Sequence, residues 1–442
     1  MNCLAIAIFL LSTASADLSL VAQPTQQEGA KGDDWPQWGG PRRDLVWRES
    51  GIVKTLPTDG LLPRMWTTPI GEGYAGPAVA DGKVFVTDLV DRKGATATER
   101  VLCMDAATGK VLWTHAYPVE YSIAYPAGPR ATPVVNGARV YTLGAMGDFF
   151  CLSVDDGKIL WKKKLLADFG GKVAIWGFAA SPLVDGEQLI TLVGGAPGAL
   201  VVSFDKATGR ELWRALEDRD VGYCPPMIFT FGASRQLIVW HPEAVSSLDP
   251  SNGKVLWEIP WKIRSGLCIP TPRQVGNRLF LTAFYNGPMM LEVAPDGSGA
   301  KIAWRGASTS EIRTDGLHAI LCTPWVTETH IFGVCSYGQL RCLDAKTGQR
   351  LWETRRPTGE GRWWNAFIVP HEDRFFIHNE QGDLIIADLT PEGYKERSRA
   401  KLVEPTREVN KRMTIWSHPA FAMKSVFARN DKEIVRVDLA AK

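Results

Sequence analysis

A nine-residue phrase, Asp-x-x-Thr-Gly-x-x-x-Trp, stands intact at residues 105–113, 205–213 and 344–352 and in altered form at 153–161 and 249–257. With Trp66 and Trp304 included, successive marker tryptophans lie 47, 48, 52, 44, 47 and 48 residues apart. A period in the forties belongs either to four-stranded propeller blades or to arrays of paired helices. The local pattern selects strands. Short apolar runs alternate with turn dipeptides such as Asp81-Gly82, Asn136-Gly137 and Asp185-Gly186, which tolerate the positive φ of a two-residue hairpin. Between Trp66 and Trp352 no spacing of three and four lasts long enough to build a helix array.

Six repeats end at Trp113, Trp161, Trp213, Trp257, Trp304 and Trp352, and the 90 residues that follow hold nearly two more. The seventh, from Trp363 to about Leu402, keeps its strands but lacks the tryptophan. The eighth starts near Thr414 and stops at Asp438-Leu439, short of an outer strand. Residues 62–67 have the pattern of that missing strand. The sequence therefore predicts an all-β chain, an eight-bladed propeller of four-stranded antiparallel blades closed by an N-terminal strand, which leaves no open sheet edge. Each marker indole is placed to bury roughly 150–250 Å² between neighbouring blades, with its N–H seeking a carbonyl. Asp and Thr hold the preceding turn through bonds to its backbone, and Gly relieves its strain. A calcium reading of these turns fails, because each offers one carboxylate where calcium takes six to eight oxygens.

At 442 residues and 45% hydrophobic, with 17 tryptophans, the chain has the material for one large stacked core. A formal net charge of +2 gives no electrostatic footprint for nucleic acid. Residues 4–11 are a short apolar run and Ala14-Ser15-Ala16 supplies small residues for cleavage, so residues 1–16 read as an export signal, 17–34 as a flexible leader and 35–442 as the propeller. No segment approaches the twenty apolar residues of a membrane span. The eight cysteines include no Cys-x-x-Cys and no adjacent pair. Cys103, Cys151 and Cys342, each ten residues before a marker tryptophan, read as buried strand residues, while Cys335 and Cys342 flank a turn and are close enough in sequence to pair.

The tandem phrases, together with the opening Asp34-Trp35-Pro36-Gln37-Trp38-Gly39-Gly40-Pro41, resemble the pyrroloquinoline-quinone-like β-propeller family, which includes quinoprotein alcohol dehydrogenases and the outer-membrane assembly factor BamB. The resemblance runs from Trp35 to the C-terminus and implies the fold. It leaves activity open, since one propeller serves catalytic and purely binding members. The dehydrogenases hold their quinone against a disulfide of adjacent cysteines and bind calcium beside a catalytic carboxylate. Here no two cysteines are neighbours. Asp315 is the best candidate base, with Trp176 as a stacking floor, and neither follows from a family motif; a turn-forming Asp and a packed Trp are the simpler reading.

In a propeller the connections from one outer strand to the next inner strand emerge on one face and converge at the channel mouth. In this sequence they are long and aromatic, covering 117–130, 169–181, 218–225, 307–323, 354–365 and 406–417. At their ends stand Tyr74, Arg130, Trp176, Phe178, Tyr223, His318, Trp364, Asn365, Trp416 and His418. Rings with a few polar tips suit a pocket for a sugar, a peptide or a planar ligand, and they equally suit a plug for the channel. Arg130 and His318 weigh most, because a charge or imidazole facing a channel is costly without a partner. No Gly-x-Ser-x-Gly elbow occurs. His371-Glu372 lacks the second histidine of a zinc protease, and Gly194-Gly195-Ala196-Pro197-Gly198 lacks Rossmann spacing.

The function expected is that of an exported, periplasmic or cell-surface, monomeric, non-catalytic binding or scaffold protein whose partner is an envelope protein, a peptide or a carbohydrate, with no cofactor. The alternatives are a dehydrogenase of alcohols or sugars using the quinone with calcium, and a carbohydrate-binding surface protein.

Overall fold

The computed structural model describes residues 34–218 and 220–442. The expected signal and all but the last residue of the expected leader lie outside the described residues. Among those described, the sheets are eight of four strands plus one two-stranded hairpin, Arg407–Val409 with Arg412–Thr414. In the first blade the strands Ala78–Ala80, Lys83–Lys93, Thr96–Asp105 and Val111–Glu120 pair in sequence order, antiparallel throughout, and the next six blades repeat the scheme. The eighth joins Ala420–Ala422, Ser425–Arg429 and Glu433–Asp438 to the N-terminal strand Arg64–Pro69, with Thr67 opposite Val435. The ring is thus an eight-bladed β-propeller closed as the repeat arithmetic requires. No described helix is long and apolar enough to cross a membrane.

The repeated phrase acts between blades as well as within them. Asp105 Oδ1 accepts bonds from the Thr108 backbone N–H (2.8 Å) and hydroxyl (2.7 Å), which fixes the turn. Gly109 follows with φ +72°, and a Cβ there would lie 2.6 Å from the Trp66 ring of the preceding blade. Gly157 meets Trp113, Gly209 meets Trp161, Gly253 meets Trp213 and Gly348 meets Trp304 in the same way. The indole N–H of Trp66, Trp113, Trp161 and Trp304 donates to a carbonyl of that neighbouring turn at 2.9 to 3.1 Å. Glycine is needed twice over: for its backbone conformation and because the preceding blade's indole lies flat against it.

The seventh blade shows why one repeat does without its indole. Ser398 occupies the outer-strand position, opposite Ile386, and its hydroxyl accepts the backbone N–H of Leu56 at 2.9 Å. The eighth blade pairs Glu433–Asp438 with Arg64–Pro69, strands that no turn joins, so it has no Thr-Gly turn there on which a tryptophan could rest. The N-terminal segment fills the gap, through Leu62 N–H to Lys401 O (2.8 Å) and Lys401 N–H to Gly60 O (2.8 Å).

All seven cysteines among the described residues are free and buried. The Cys335–Cys342 pairing does not form: Cys342 sits in register with Trp352, and Cys335 Sγ lies against Arg341 instead. Cys103 and Cys151 pair in register with Trp113 and Trp161, as strand residues packed behind the marker indoles.

Candidate functional site

The opening motif enters the ring. Trp35 exchanges backbone bonds with Val79 (2.8 and 2.9 Å), and Pro36 O accepts the Val135 N–H (2.8 Å), so the chain runs up beside two inner strands. It turns at Gly39 and Gly40, both with φ above +70°; a Cβ on Gly40 would press the Trp35 ring at 3.0 Å. Arg43, fully buried, then donates to the carbonyls of Ser181, Pro182 and Pro226 at the entrances of two blades, and to Gln37. Burial lowers its pKa to about 10, still far above neutrality. The chain leaves past Pro370, whose carbonyl takes the Trp47 N–H (3.0 Å). This segment occupies the axis, and Trp38 at its turn donates to Thr271 Oγ1 (3.0 Å) while packing edge-on to His418 at 4.4 Å.

Above Trp38 opens a cavity with about 1100 Å³ of space free of protein atoms, its mouth included. All eight blade-to-blade connections reach it. The first four contribute Tyr74, then Tyr125 and Arg130, then Trp176, Ala179 and Ser181, then Tyr223 and Pro225. The remaining four contribute Leu267 and Ile269, Ile320 and Leu321, Trp363, and finally Trp416 with His418, while Phe367 projects from an inner strand. The connections brace one another: Tyr74 N–H donates to Pro129 O (2.9 Å), Ala124 N–H to Ile175 O (2.8 Å) and Tyr223 N–H to Cys268 O (3.1 Å). At the strand entrances, Thr132 N–H donates to Ser181 Oγ (2.9 Å), Thr271 N–H donates to Thr323 Oγ1 (3.1 Å), and Thr132 Oγ1 pairs with His418 Nε2 (2.8 Å).

The walls are rings. Tyr74 stacks on Trp416 (6.2 Å, 27°), Trp363 meets Trp416 edge-on (6.2 Å, 70°) and Tyr125 touches both tryptophans. Trp176 and Tyr223 form a second pair at 5.7 Å. Ion pairs hold the first group from outside. Glu380, fully buried, accepts from the Trp416 indole (3.0 Å) and from Arg412 (2.5 Å), and Glu311 holds Arg362 (2.9 Å), whose guanidinium lies 4.5 Å over Trp363.

The charged and imidazole groups in the cavity are already committed, while Tyr74 Oη and Trp363 Nε1 are buried without a hydrogen-bond partner. Arg130 donates to the carbonyls of Gly128 (2.7 Å), Ala124 (3.2 Å) and Tyr125, and burial lowers its pKa. His418 engages Thr132 and the Pro419 carbonyl, and burial pushes its pKa down to about 4, so it is neutral at ordinary pH. Arg130 therefore brings one fixed positive charge, and among the described residues no carboxylate lines the cavity.

Of the ten residues expected at the mouth, the cavity gathers Tyr74, Arg130, Trp176, Tyr223, Trp416 and His418. Phe178, His318, Trp364 and Asn365 are buried and do not line it. Phe178 packs in a core cluster against Gly147, and Trp364 lies under Gly359 and Gly361. Asn365 is sealed in the inner-strand entrance, where its carbonyl takes the Glu380 N–H (3.1 Å). His318 is enclosed between Phe284 O (3.2 Å) and Asp315 (3.2 Å), which supply the partners a buried imidazole requires. Asp315 likewise stands away from the cavity and makes a poor base. Backbone N–H groups of Ser308, Ala307 and Gly316 and the His318 ring hold its carboxyl down at about 2, against the opposing pull of burial. Sequence reasoning missed Trp38, Trp363, Tyr125 and the aliphatic wall of Leu267, Ile269, Ile320 and Leu321. Tyr125 and Trp363 lay within aromatic connections already marked out, but nothing local distinguished them.

A second constellation has triad composition. Asp218 Oδ2 lies 2.6 Å from His241 Nδ1, and His241 Nε2 lies 3.1 Å from Ser246 Oγ. Ser246, however, is fully buried in a strand and donates its proton to Glu258 (2.8 Å) on the paired strand, so its oxygen faces a neighbour and no substrate space.

The fold and the axial cavity define a protein of the PQQ-like repeat class. The family model described as outer membrane protein assembly factor BamB matches residues 44–141, 97–294 and 241–442, and the chain belongs to that family. A quinoprotein ethanol dehydrogenase from Pseudomonas aeruginosa is 28% identical over 236 residues, covering 48% of this chain and 35% of that enzyme; the matched segment spans about a third of the relative's length. Among solved structures, the quinohemoprotein alcohol dehydrogenase ADHIIG from Pseudomonas putida HK5 superposes with a TM-score of 0.60 at 10% identity, covering 93% and 81% of the two chains. The computationally designed Ika8 protein does so at 0.50 and 11% identity, covering 84% and 98%. Likeness at that level shows the fold alone.

The family raises the question of a quinone with calcium. A planar, multiply carboxylated quinone needs cationic donors free to meet it, and its calcium needs oxygen ligands. In the cavity, the terminal nitrogens of Arg130 serve three carbonyls, and no carboxylate is among the described residues that line it. Among the described residues no three His, Cys, Asp or Glu side chains converge as a metal site. The residues present do not fit that group.

Proposed function

We propose that this protein is an exported, non-catalytic binding protein of the cell envelope, and that the axial cavity is its binding site. The observation that carries the reading is the commitment of the cavity's charged and imidazole groups. Trp38, Arg130, Ser181, Tyr223, Trp416 and His418 have protein partners, and the buried unpartnered polar atoms Tyr74 Oη and Trp363 Nε1 belong to a phenol and an indole. Among the described residues the lining thus offers ring faces and two buried neutral donors and no free carboxylate or imidazole to move a proton. Export is supported by the apolar run and small residues of the N-terminus, and the envelope by the family's outer-membrane description. The test is an assay of the purified protein with added quinone, calcium and an electron-accepting dye, across alcohols and sugars. Dye reduction that depends on both substrate and quinone overturns the reading; a blank rate throughout, with saturable binding lost in Trp416→Ala, supports it.

A further inference from the structure

We infer that the cavity selects an uncharged, flat aromatic ring over cationic, multiply anionic or polyhydroxylated ligands; this rests on the cavity being a binding site at all. The wall of Tyr74, Tyr125, Trp363 and Trp416 has the look of a cage for a cation, since ring faces attract positive charge. At Tyr74 and Trp363 that attraction is already taken up. Arg407 lies 4.3 Å and Arg130 4.9 Å from the Tyr74 ring centroid, and Arg362 lies 4.5 Å from that of Trp363.

Arg362 and Arg407 are balanced by Glu311 and Asp431, but Arg130 bonds only carbonyls, so its charge has no directly paired carboxylate beside the cavity. A ligand cation would be repelled by it. A polyanion fares no better, because the guanidiniums beside the ring wall, Arg362, Arg407 and Arg412, are held by Glu311, Asp431 and Glu380. A sugar would lose water from several hydroxyls and find only Tyr74 Oη and Trp363 Nε1 among the buried lining groups without a partner, too few to replace that water, which costs more than ring stacking returns. A flat neutral ring loses little on desolvation, stacks on Trp416 and Trp363, and rests its edge on Ile269, Ile320 and Leu321.

The experiment is calorimetric titration of the full chain with four probes: 2-naphthol, 2-naphthyltrimethylammonium, naphthalene-1,4,5,8-tetracarboxylate and methyl β-glucoside. The expected result is 2-naphthol binding at least about tenfold more tightly than the other three, with a loss of about tenfold in Trp416→Ala and retention within about threefold in Trp416→Phe, which keeps a ring and guards against a folding artefact. A fifth probe, acetyl-Gly-Trp-Gly-amide, separates sources: tighter binding than 2-naphthol assigns the ring to a peptide side chain, weaker binding to a free small molecule, and either supports the ring. A charged probe or the glucoside matching 2-naphthol overturns the ligand class and leaves the site standing. Absence of binding by all five, or 2-naphthol affinity unchanged in Trp416→Ala, removes the cavity as a site and with it the function proposed above.

Discussion

Gly82 and Gly109 have nearly the same backbone, φ +71° and +72°, but a Cβ on Gly82 meets nothing within 4 Å while one on Gly109 meets Trp66 at 2.6 Å. Alanine at either site incurs the left-handed backbone cost of about 1 kcal/mol. Only at Gly109 must an indole also move. Gly109→Ala is expected to destabilise by about 2–4 kcal/mol in urea titration and Gly82→Ala by about 1; equal losses would show that the interblade contact contributes nothing. His418 gives a residue-scale pH prediction. Its folded pKa of about 4 lies below the roughly 6.5 of an unfolded histidine, so the unfolded chain takes up a proton first as pH falls. Stability tied to His418 is therefore complete above pH 6.5 and declines until the folded protein also protonates near 4. His418→Gln is expected to flatten the stability profile over that window by up to about 3 kcal/mol, and an unchanged slope would mean that the ring is protonated in the fold.

At the scale of elements, the cavity depends on a segment that sequence reading had treated as a family signature. The turn around Trp38 is pinned by Arg43 to carbonyls of two blades, which lose their partners if the guanidinium goes. Arg43→Leu is expected to destabilise by about 3–5 kcal/mol and to weaken 2-naphthol binding, because the Trp38 floor loses its anchor. A stability loss with binding intact would place the floor's support elsewhere. The blade connections were legible as a group, since outer and inner strands could be located from the tryptophan period, and Tyr74, Trp176, Tyr223 and Trp416 followed from their places beside strand entrances. His318 did not follow, because the partners that satisfy it, Phe284 O and Asp315, are set by tertiary packing. Trp38 was hidden for the converse reason: its neighbours Thr271 and His418 are 233 and 380 residues away in sequence.

For the molecule as a whole, the ring was legible because one contact, indole on glycine, repeats between blades and leaves a spacing that sequence displays directly. The seventh repeat is the instructive exception. A repair that restored the repeat pattern would place tryptophan at Ser398, opposite Ile386 and in register with the marker positions. In an open array that change would add a buried contact. In this ring the eighth blade closes by pairing Arg64–Pro69 with Glu433–Asp438, and it presents no Thr-Gly turn to receive the indole. The site is occupied by the N-terminal segment, whose Leu56 N–H is bonded to the Ser398 hydroxyl. Ser398→Trp thus removes that bond, about 1 kcal/mol, and forces a large ring against chain already packed there, a further 1–3 kcal/mol. Thermal unfolding should show a lower Tm than the parent despite the improved repeat. A higher Tm would mean that the N-terminal segment yields readily at the seam, and that closure rests on the strand pairing of residues 64–69 alone.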